Sequence, residues 1–331
     1  MKNRFVKDSR AGHAVVVGLK PVVFFLAVSS FVFIGAFKLA AAPLRVKVAY
    51  PVISPIMGGI WMAKEIGAFE KYGLQCDLVY IASGPVVISS LLAGELNLAF
   101  AATNAALSSI HKGAPLVAVG AITSSPGWSL WAQPEITKLE QLEGKVIGVT
   151  SPGGAAHFLT LYVLTKFGLQ DKVRIQAFRG EPARLAAFRE GLISGMLTSL
   201  QPAPRARQLL DLANFGIPYP VDLIVVKRDF HESSAKTVET ALKAYMEGVA
   251  ALRSRKDQAM RALEKYLRRP VSPEEYQYPV KYLSPNPKVD PKSVRFVLDW
   301  IGAKDAAANS FFDNTILDRL SQEGFVDRLS R

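Results

Sequence analysis

Lys71-Tyr72-Gly73-Leu74-Gln75 opens a stretch that the chain contains twice; the second copy opens Lys166-Phe167-Gly168-Leu169-Gln170. Each opening leads into a β-like run, Asp77-Leu78-Val79-Tyr80-Ile81 in one copy and Val173-Arg174-Ile175-Gln176-Ala177 in the other. A glycine-containing turn follows, Ser83-Gly84-Pro85 or Arg179-Gly180-Glu181-Pro182, and then a helical pattern over 86–93 or 183–190. Gly94 and Gly191 close those patterns, since glycine just past a helix enters the left-handed region without a Cβ clash. Both copies end on a short apolar strand, Leu96-Asn97-Leu98-Ala99-Phe100 and Leu192-Ile193-Ser194-Gly195-Met196-Leu197. The offset between copies moves only from 95 to 97 residues over the stretch. One strand–helix–strand unit is therefore used twice, and two copies are too few for a solenoid.

Outward from the first copy, Leu44-Arg45-Val46-Lys47-Val48-Ala49-Tyr50 alternates and reads as a strand. A loop over 51–57 precedes an amphipathic helix carrying Ile60, Trp61, Ile66 and Phe69. Ala101-Ala102-Thr103-Asn104 opens another helix, and Leu116-Val117-Ala118-Val119-Gly120-Ala121-Ile122 is a continuous apolar run. Such a run suits a strand buried on both faces of a parallel sheet. Thr123-Ser124-Ser125-Pro126-Gly127 breaks it, and Trp128-Ser129-Leu130-Trp131-Ala132 alternates again. The second half repeats the opening: Lys145-Val146-Ile147-Gly148-Val149 as a strand, a loop Thr150-Ser151-Pro152-Gly153-Gly154, and a helix over 155–167. Residues 205–213 read as a helix and Val221-Asp222-Leu223-Ile224-Val225-Val226 as a final strand. Everything from Ser234 onward reads helical. Ser272-Pro273-Glu274-Glu275 forms a capping box and Asp290-Pro291 a second cap-plus-proline start. Strands alternating with helices predict parallel sheets with covered faces, here in two lobes.

Of 331 residues, half are hydrophobic, which excludes a disordered chain. The net charge is +12, but residues 1–42 hold six of the basic residues and one aspartate. The remaining 34 basic and 27 acidic residues leave +7. No basic run interleaved with aromatics occurs, so nucleic acid is not an expected partner; a mildly basic surface favours arrival of anionic small molecules. The single cysteine, Cys76, excludes an internal disulfide and a cysteine-based zinc site.

Residues 1–20 are basic, residues 22–37 are apolar, and Ala40-Ala41-Ala42 follows. Charged, apolar and small is the order of a secretory signal. Sixteen apolar residues are short for roughly 30 Å of hydrocarbon. Pro43 disfavours cleavage after Ala42, so the cut is expected after Ala41, with a retained membrane anchor as the alternative. Either way, the rest of the chain is expected outside the cytoplasmic membrane, in the periplasm.

Four motifs, Gly67-Ala68-Phe69 with Tyr72-Gly73-Leu74, Ser83-Gly84, Leu91-Leu92-Ala93-Gly94-Glu95-Leu96-Asn97, and 139–149, together resemble one family. It is the periplasmic solute-binding proteins of ABC importers, in the nitrate/sulfonate/taurine and thiamine-precursor branch. The resemblance implies an α/β Venus-flytrap fold, the type II periplasmic-binding-protein arrangement. Each lobe would be a mostly parallel sheet with flanking helices, and a helical tail would end the chain. The expected division is a signal peptide or anchor over 1–42, lobe one over 43–125, lobe two over 126–222, and a return to lobe one over 223–331. The crossings between lobes are expected near 123–132 and 220–226. A small, anionic or zwitterionic organic solute would be trapped between the lobes and delivered to an ABC permease and ATPase by closure. A monomer is expected, with no cofactor and no metal.

Ligands of open parallel sheets sit beyond the carboxyl ends of strands, where helix N-termini direct unpaired N–H groups outward. On that ground the expected ligand contacts are Tyr50, Ser54, Ser83, Gly84, Thr103, Asn104, Ser151, Gly153, Gly154 and Ala155. Arg179 joins them as a charge at the turn matching Ser83, and Trp128 as the tryptophan beside an expected crossing. Ser83-Gly84 also reads as simple turn chemistry and Thr103 as a helix cap. Trp61 and Trp131 read as packing residues. No catalytic residue is expected: His13, His111, His157 and His231 are scattered, with neither metal spacing nor a GxSxG elbow. Eukaryotic pyrimidine-precursor synthases share the implied fold but carry a cysteine-rich motif, from which this chain departs. A related enzyme and a membrane-tethered signalling receptor are the alternative readings.

Overall fold

A computed structural model describes residues 43–329; the signal or anchor expected over 1–42 lies outside the described residues. The first sheet starts from β1 (Leu44–Tyr50), whose alternation exposes Arg45 and Lys47 and buries Val46 and Val48. A 3-10 turn at Pro55–Met57 leads to α1 (Gly58–Glu65) and α2 (Ala68–Lys71). Next come β2 (Leu74–Tyr80), α3 (Gly84–Leu92), β3 (Leu98–Ala102), α4 (Thr103–His111) and β4 (Leu116–Ala121). The chain then builds a second sheet from β5 (Ser129–Ala132), β6 (Val146–Val149), α5 (Ala155–Lys166), β7 (Arg174–Ala177), α6 (Glu181–Arg189), β8 (Gly195–Thr198) and β9 (Arg207–Asp211). It returns as β10 (Asp222–Lys227), followed by α7 (Arg228–Ser233), α8 (Ala235–Ser254) and α9 (Lys256–Leu267). The last helices are α10 (Pro273–Tyr282), α11 (Pro291–Trp300), α12 (Thr315–Gln322) and α13 (Phe325–Leu329).

The strand orders are β2-β1-β3-β10-β4 and β7-β6-β8-β5-β9. In each sheet the first three strands run parallel and the fourth, β10 or β5, runs antiparallel to its neighbours. The duplicated stretch thus takes equivalent places, as β2-α3-β3 in one sheet and β7-α6-β8 in the other. Two segments, 122–128 and 212–221, carry the chain between sheets, and they are tied together. The Val221 N–H donates to Thr123 Oγ1 at 3.0 Å, the Ile122 N–H to the Asp222 carbonyl at 3.1 Å, and the Thr103 hydroxyl to the Pro220 carbonyl at 2.6 Å.

Residues 205–213, expected to be helical, instead contain strand β9, paired antiparallel with the edge of β5. Leu209 and Leu210 pack there against the core, and the pairing offered by β5 overrides local propensity, as sheet context commonly does. Both expected caps are present. Ser272 Oγ accepts the Glu275 N–H at 3.2 Å while the Glu275 carboxylate accepts the Ser272 N–H at 3.0 Å, and Asp290 accepts the Lys292 N–H at 2.8 Å.

The helical tail serves both sheets. α8 lies against α1 so closely that a Cβ on Gly248 would stand 2.2 Å from the Gly59 carbonyl oxygen. α11 reaches the second sheet's helix: Phe158 of α5 meets Phe296 and Trp300 edge-on at 6.2 and 5.9 Å. Those aromatic contacts are worth roughly 0.5–1.5 kcal/mol each beyond the area they bury.

Candidate functional site

The carboxyl ends of the parallel strands meet around one cavity of about 60 Å³, several times the room a single water needs. Pro51, Val52 and Ser54 follow β1, Ala82 and Ser83 follow β2, and Ala102 ends β3. From the second sheet come Thr150 and Ser151 after β6, Glu181 and Arg184 of α6, and Thr198 and Ser199 at the end of β8. Trp128 and Val221 close it from the segments that join the sheets, with Asp222 beside them at the first residue of β10. A wider cleft of about 580 Å³ adjoins it, sharing Ser54, Glu181, Thr198 and Ser199 and adding Trp131, Arg189 and Arg269.

Two helices point their N-termini at this cavity, α3 through Ser83 and Gly84 and α5 through Gly154, Ala155 and Ala156. The first N–H groups of a helix have no intrahelical acceptor and carry a partial positive charge, so both ends favour an acceptor or anion. The paired glycines before α5 do different jobs. Gly153 has φ +72°, a conformation that glycine alone adopts without strain. Gly154 is extended, but a Cβ there would lie 2.7 Å from Ser151 Oγ. The Gly153 N–H donates to His157 Nδ1 at 3.3 Å, and burial lowers the His157 pKa. His157 is therefore a neutral acceptor that shapes the loop, a structural role.

Three lining residues ionise. Arg184, only 2% exposed, donates to the Glu181 carboxylate at 2.5 Å and to the Leu197 carbonyl at 2.9 Å, while its Nε has no partner. Thr198 Oγ1 donates to the other Glu181 oxygen at 3.4 Å. Asp222, also 2% exposed, has no hydrogen-bond partner at Oδ2. Burial pushes its carboxyl up to about 7, because no nearby group offsets the loss of solvation.

Of the twelve expected contact residues, Ser54, Ser83, Gly84, Trp128, Ser151, Gly154 and Ala155 line the cavity. Trp128 is fixed there by its Nε1–H, which donates to the Tyr278 hydroxyl at 2.9 Å. Tyr50 lies behind the wall, edge-on to Trp61 at 5.9 Å and beside Tyr80. Thr103 is engaged with Pro220. Asn104 lies one layer out, where its Nδ2 donates to the Gly153 carbonyl at 2.7 Å and its Oδ1 accepts the Tyr219 hydroxyl at 2.8 Å. Arg179 is exposed, and the arginine at the cavity is Arg184, five residues on. Asp222, Glu181, Arg184, Thr198 and Ser199 escaped the sequence reading. A carboxylate inside the apolar run 221–226 was the available signal.

With α5 presenting backbone donors, the Ser151→Ala substitution is expected to weaken solute binding by about 1 kcal/mol, one neutral hydrogen bond. Gly154→Val is expected to do more harm, since its side chain would meet Ser151 Oγ and cover the N–H groups. Titration calorimetry on both variants checks this. Unchanged binding in Gly154→Val, alongside binding abolished in Ser151→Ala, would reverse the assignment.

Residues 54–259, more than half of the chain, match the family model described as NMT1/THI5 like. Among solved structures, a Bordetella bronchiseptica RB50 protein superposes with TM-score 0.73 at 19% identity, covering 86% of this chain and 99% of its own. The alkanesulfonate-binding protein SsuA of Xanthomonas axonopodis pv. citri, bound to MOPS, gives 0.67 at 17% identity over 84% and 98%. The periplasmic aliphatic sulphonate-binding protein SsuA of Escherichia coli gives 0.64 at 19% identity over 86% and 94%. At these identities the likeness shows a shared fold. No curated protein matches the chain by sequence.

Proposed function

The chain belongs to the NMT1/THI5-like family, and from that premise we propose that it is an extracytoplasmic receptor for a small organic solute, anionic or zwitterionic. On this reading it hands its solute to the permease and ATPase of an ABC importer. The observation that carries the proposal is the cavity formed jointly by the strand ends of both sheets, with two tied segments running between the sheets. A solute there would touch both lobes at once and would favour whichever arrangement brings them together. The seven expected residues on the wall and the two facing helix ends support the same reading. So does the chemistry of the sulfonate receptors that share the fold. Among the described residues, no helix is long and apolar enough to cross a membrane. If the amino-terminal segment is cut after Ala41 the receptor is released, and if it is retained, attachment to the membrane would fall to residues 21–37.

The energies are compatible with trapping. A micromolar affinity is about 8 kcal/mol, and moving an open-to-closed ratio from 1:99 to 99:1 takes about 5.5 kcal/mol of differential affinity. A thermal-shift screen of small sulfonates, carboxylates, nitrate and pyrimidines should find the binder. Small-angle scattering with that compound should then show a smaller radius of gyration, and Trp128 emission should change with it. An unchanged scattering profile at saturation would leave a binding protein that does not trap.

A further inference from the structure

We propose that the solute carries a basic nitrogen whose N–H groups bind the Asp222 carboxylate, so that simple anions are poor ligands; this rests on the solute-receptor reading above. Of the three ionisable residues on the cavity wall, Glu181 and Arg184 neutralise each other at 2.5 Å. Among the described residues, the ionisable group on that wall without a counter-charge is the Asp222 carboxyl, raised to about 7 by burial, and the form it takes above that value is negative. Asp222 stands at the first residue of β10, where a joining segment enters the first sheet, and its backbone is held by the Ile122 N–H at 3.1 Å. The carboxyl is thus rigidly placed, buried, and without a partner at Oδ2.

The groups that feel its charge do not supply a cation. Tyr219 of the joining segment, Tyr245 of α8 and Tyr278 of α10 all register Asp222, and burial holds each of these phenols above its usual pKa, hence neutral. An unpaired buried carboxylate is unfavourable, and a ligand ammonium or amino group is the partner that would relieve it. On the other lobe the hydrogen-bond donors left open are Arg184 Nε, without an acceptor, and the first turn of α5 at Ala155 and Ala156. Donors there and an acceptor at Asp222 describe a short solute with a basic nitrogen at one end and an anionic or carbonyl-like group at the other. A water bridging Asp222 to the Tyr245 hydroxyl, which is also unpartnered, is the competing account.

Calorimetry on the full chain with matched pairs separates the two. The pairs are 2-aminoethanesulfonate against ethanesulfonate, β-alanine against propanoate, and 4-aminopyrimidine against pyrimidine. Within the pair that binds, the nitrogen-bearing member should be tighter by about 30-fold, as expected of a charge-assisted hydrogen bond. Asp222→Asn should remove that preference. On the unmodified chain at pH 8, heats in buffers of different ionisation enthalpy should show no proton uptake with the nitrogen-bearing member. Equal affinity for the nitrogen-free member, or a preference that survives Asp222→Asn, overturns the inference and leaves the receptor standing. Heat from neither member of any pair counts against the receptor reading itself.

Discussion

Between pH 5 and pH 8 the protein is expected to lose about 3 kcal/mol of unfolding free energy through Asp222 alone. In the unfolded chain this carboxyl titrates near its ordinary value of 3.8, whereas burial raises it to about 7 in the folded protein. Between those values the folded state holds a proton that the unfolded state has released. Stability is therefore greatest at low pH and falls as pH rises through the folded value. Asp222→Asn removes the titration and should make the variant more stable than the parent at pH 8, with the two converging near pH 4. Urea denaturation of both at pH 5 and pH 8 reads the difference directly. Glu239 works in the opposite sense: against the penalty of its own burial, Lys243 and Lys236 hold it down to about 2. Its effect falls below pH 5 and cancels in the comparison. Parallel stability curves for parent and variant would mean that Asp222 finds a partner in the folded protein.

A charge kept in such a place is hard to see in a sequence, although not invisible. Asp222 interrupts an otherwise apolar strand, and Arg184 shares a helical face with Ala187 and Phe188, both buried. Each therefore broke a local pattern that packing alone would have preferred. What the sequence could not supply was the pairing. Arg179 and Arg184 lie on the same stretch, and only the seating of α6 on β6 and β8 decides which one is buried. The parallel order of both sheets was readable because repeat, turn glycines and apolar runs agree with one another. Strand β9 was not, because its pairing is a property of β5 and not of residues 205–213. Asn104 followed the same logic. Its position at the start of α4 marked it as near the site, while its partner Gly153 lies 49 residues away on the other sheet.

That partner gives Asn104→Ala a large expected effect on binding. The Asn104 side chain is anchored by the hydroxyl of Tyr219, which is fully buried and stacked on Phe158 at 4.9 Å. From there it donates across to the Gly153 carbonyl, at the loop that also presents Gly154 and the α5 N-terminus to the cavity. If the lobes close as proposed, this bond belongs to the closed arrangement and contributes only to it. Losing it, with the Gly153 carbonyl left unpaired in the closed arrangement, should disfavour closure by about 2 kcal/mol. That is roughly a 30-fold loss of apparent affinity, since affinity scales with the competent fraction. Tyr219→Phe removes the anchor and spares the bond across the cleft, so its effect on affinity should be much smaller although its stability falls. Asn104→Asp retains an acceptor for Tyr219 but sets a carboxylate against the Gly153 carbonyl, and it should bind at least as poorly as the alanine variant. Calorimetry with the best solute from the screen, paired with thermal denaturation, separates the two roles. Equal affinity in all three variants alongside lowered stability would make Asn104 a brace of the fold with no part in holding the lobes together.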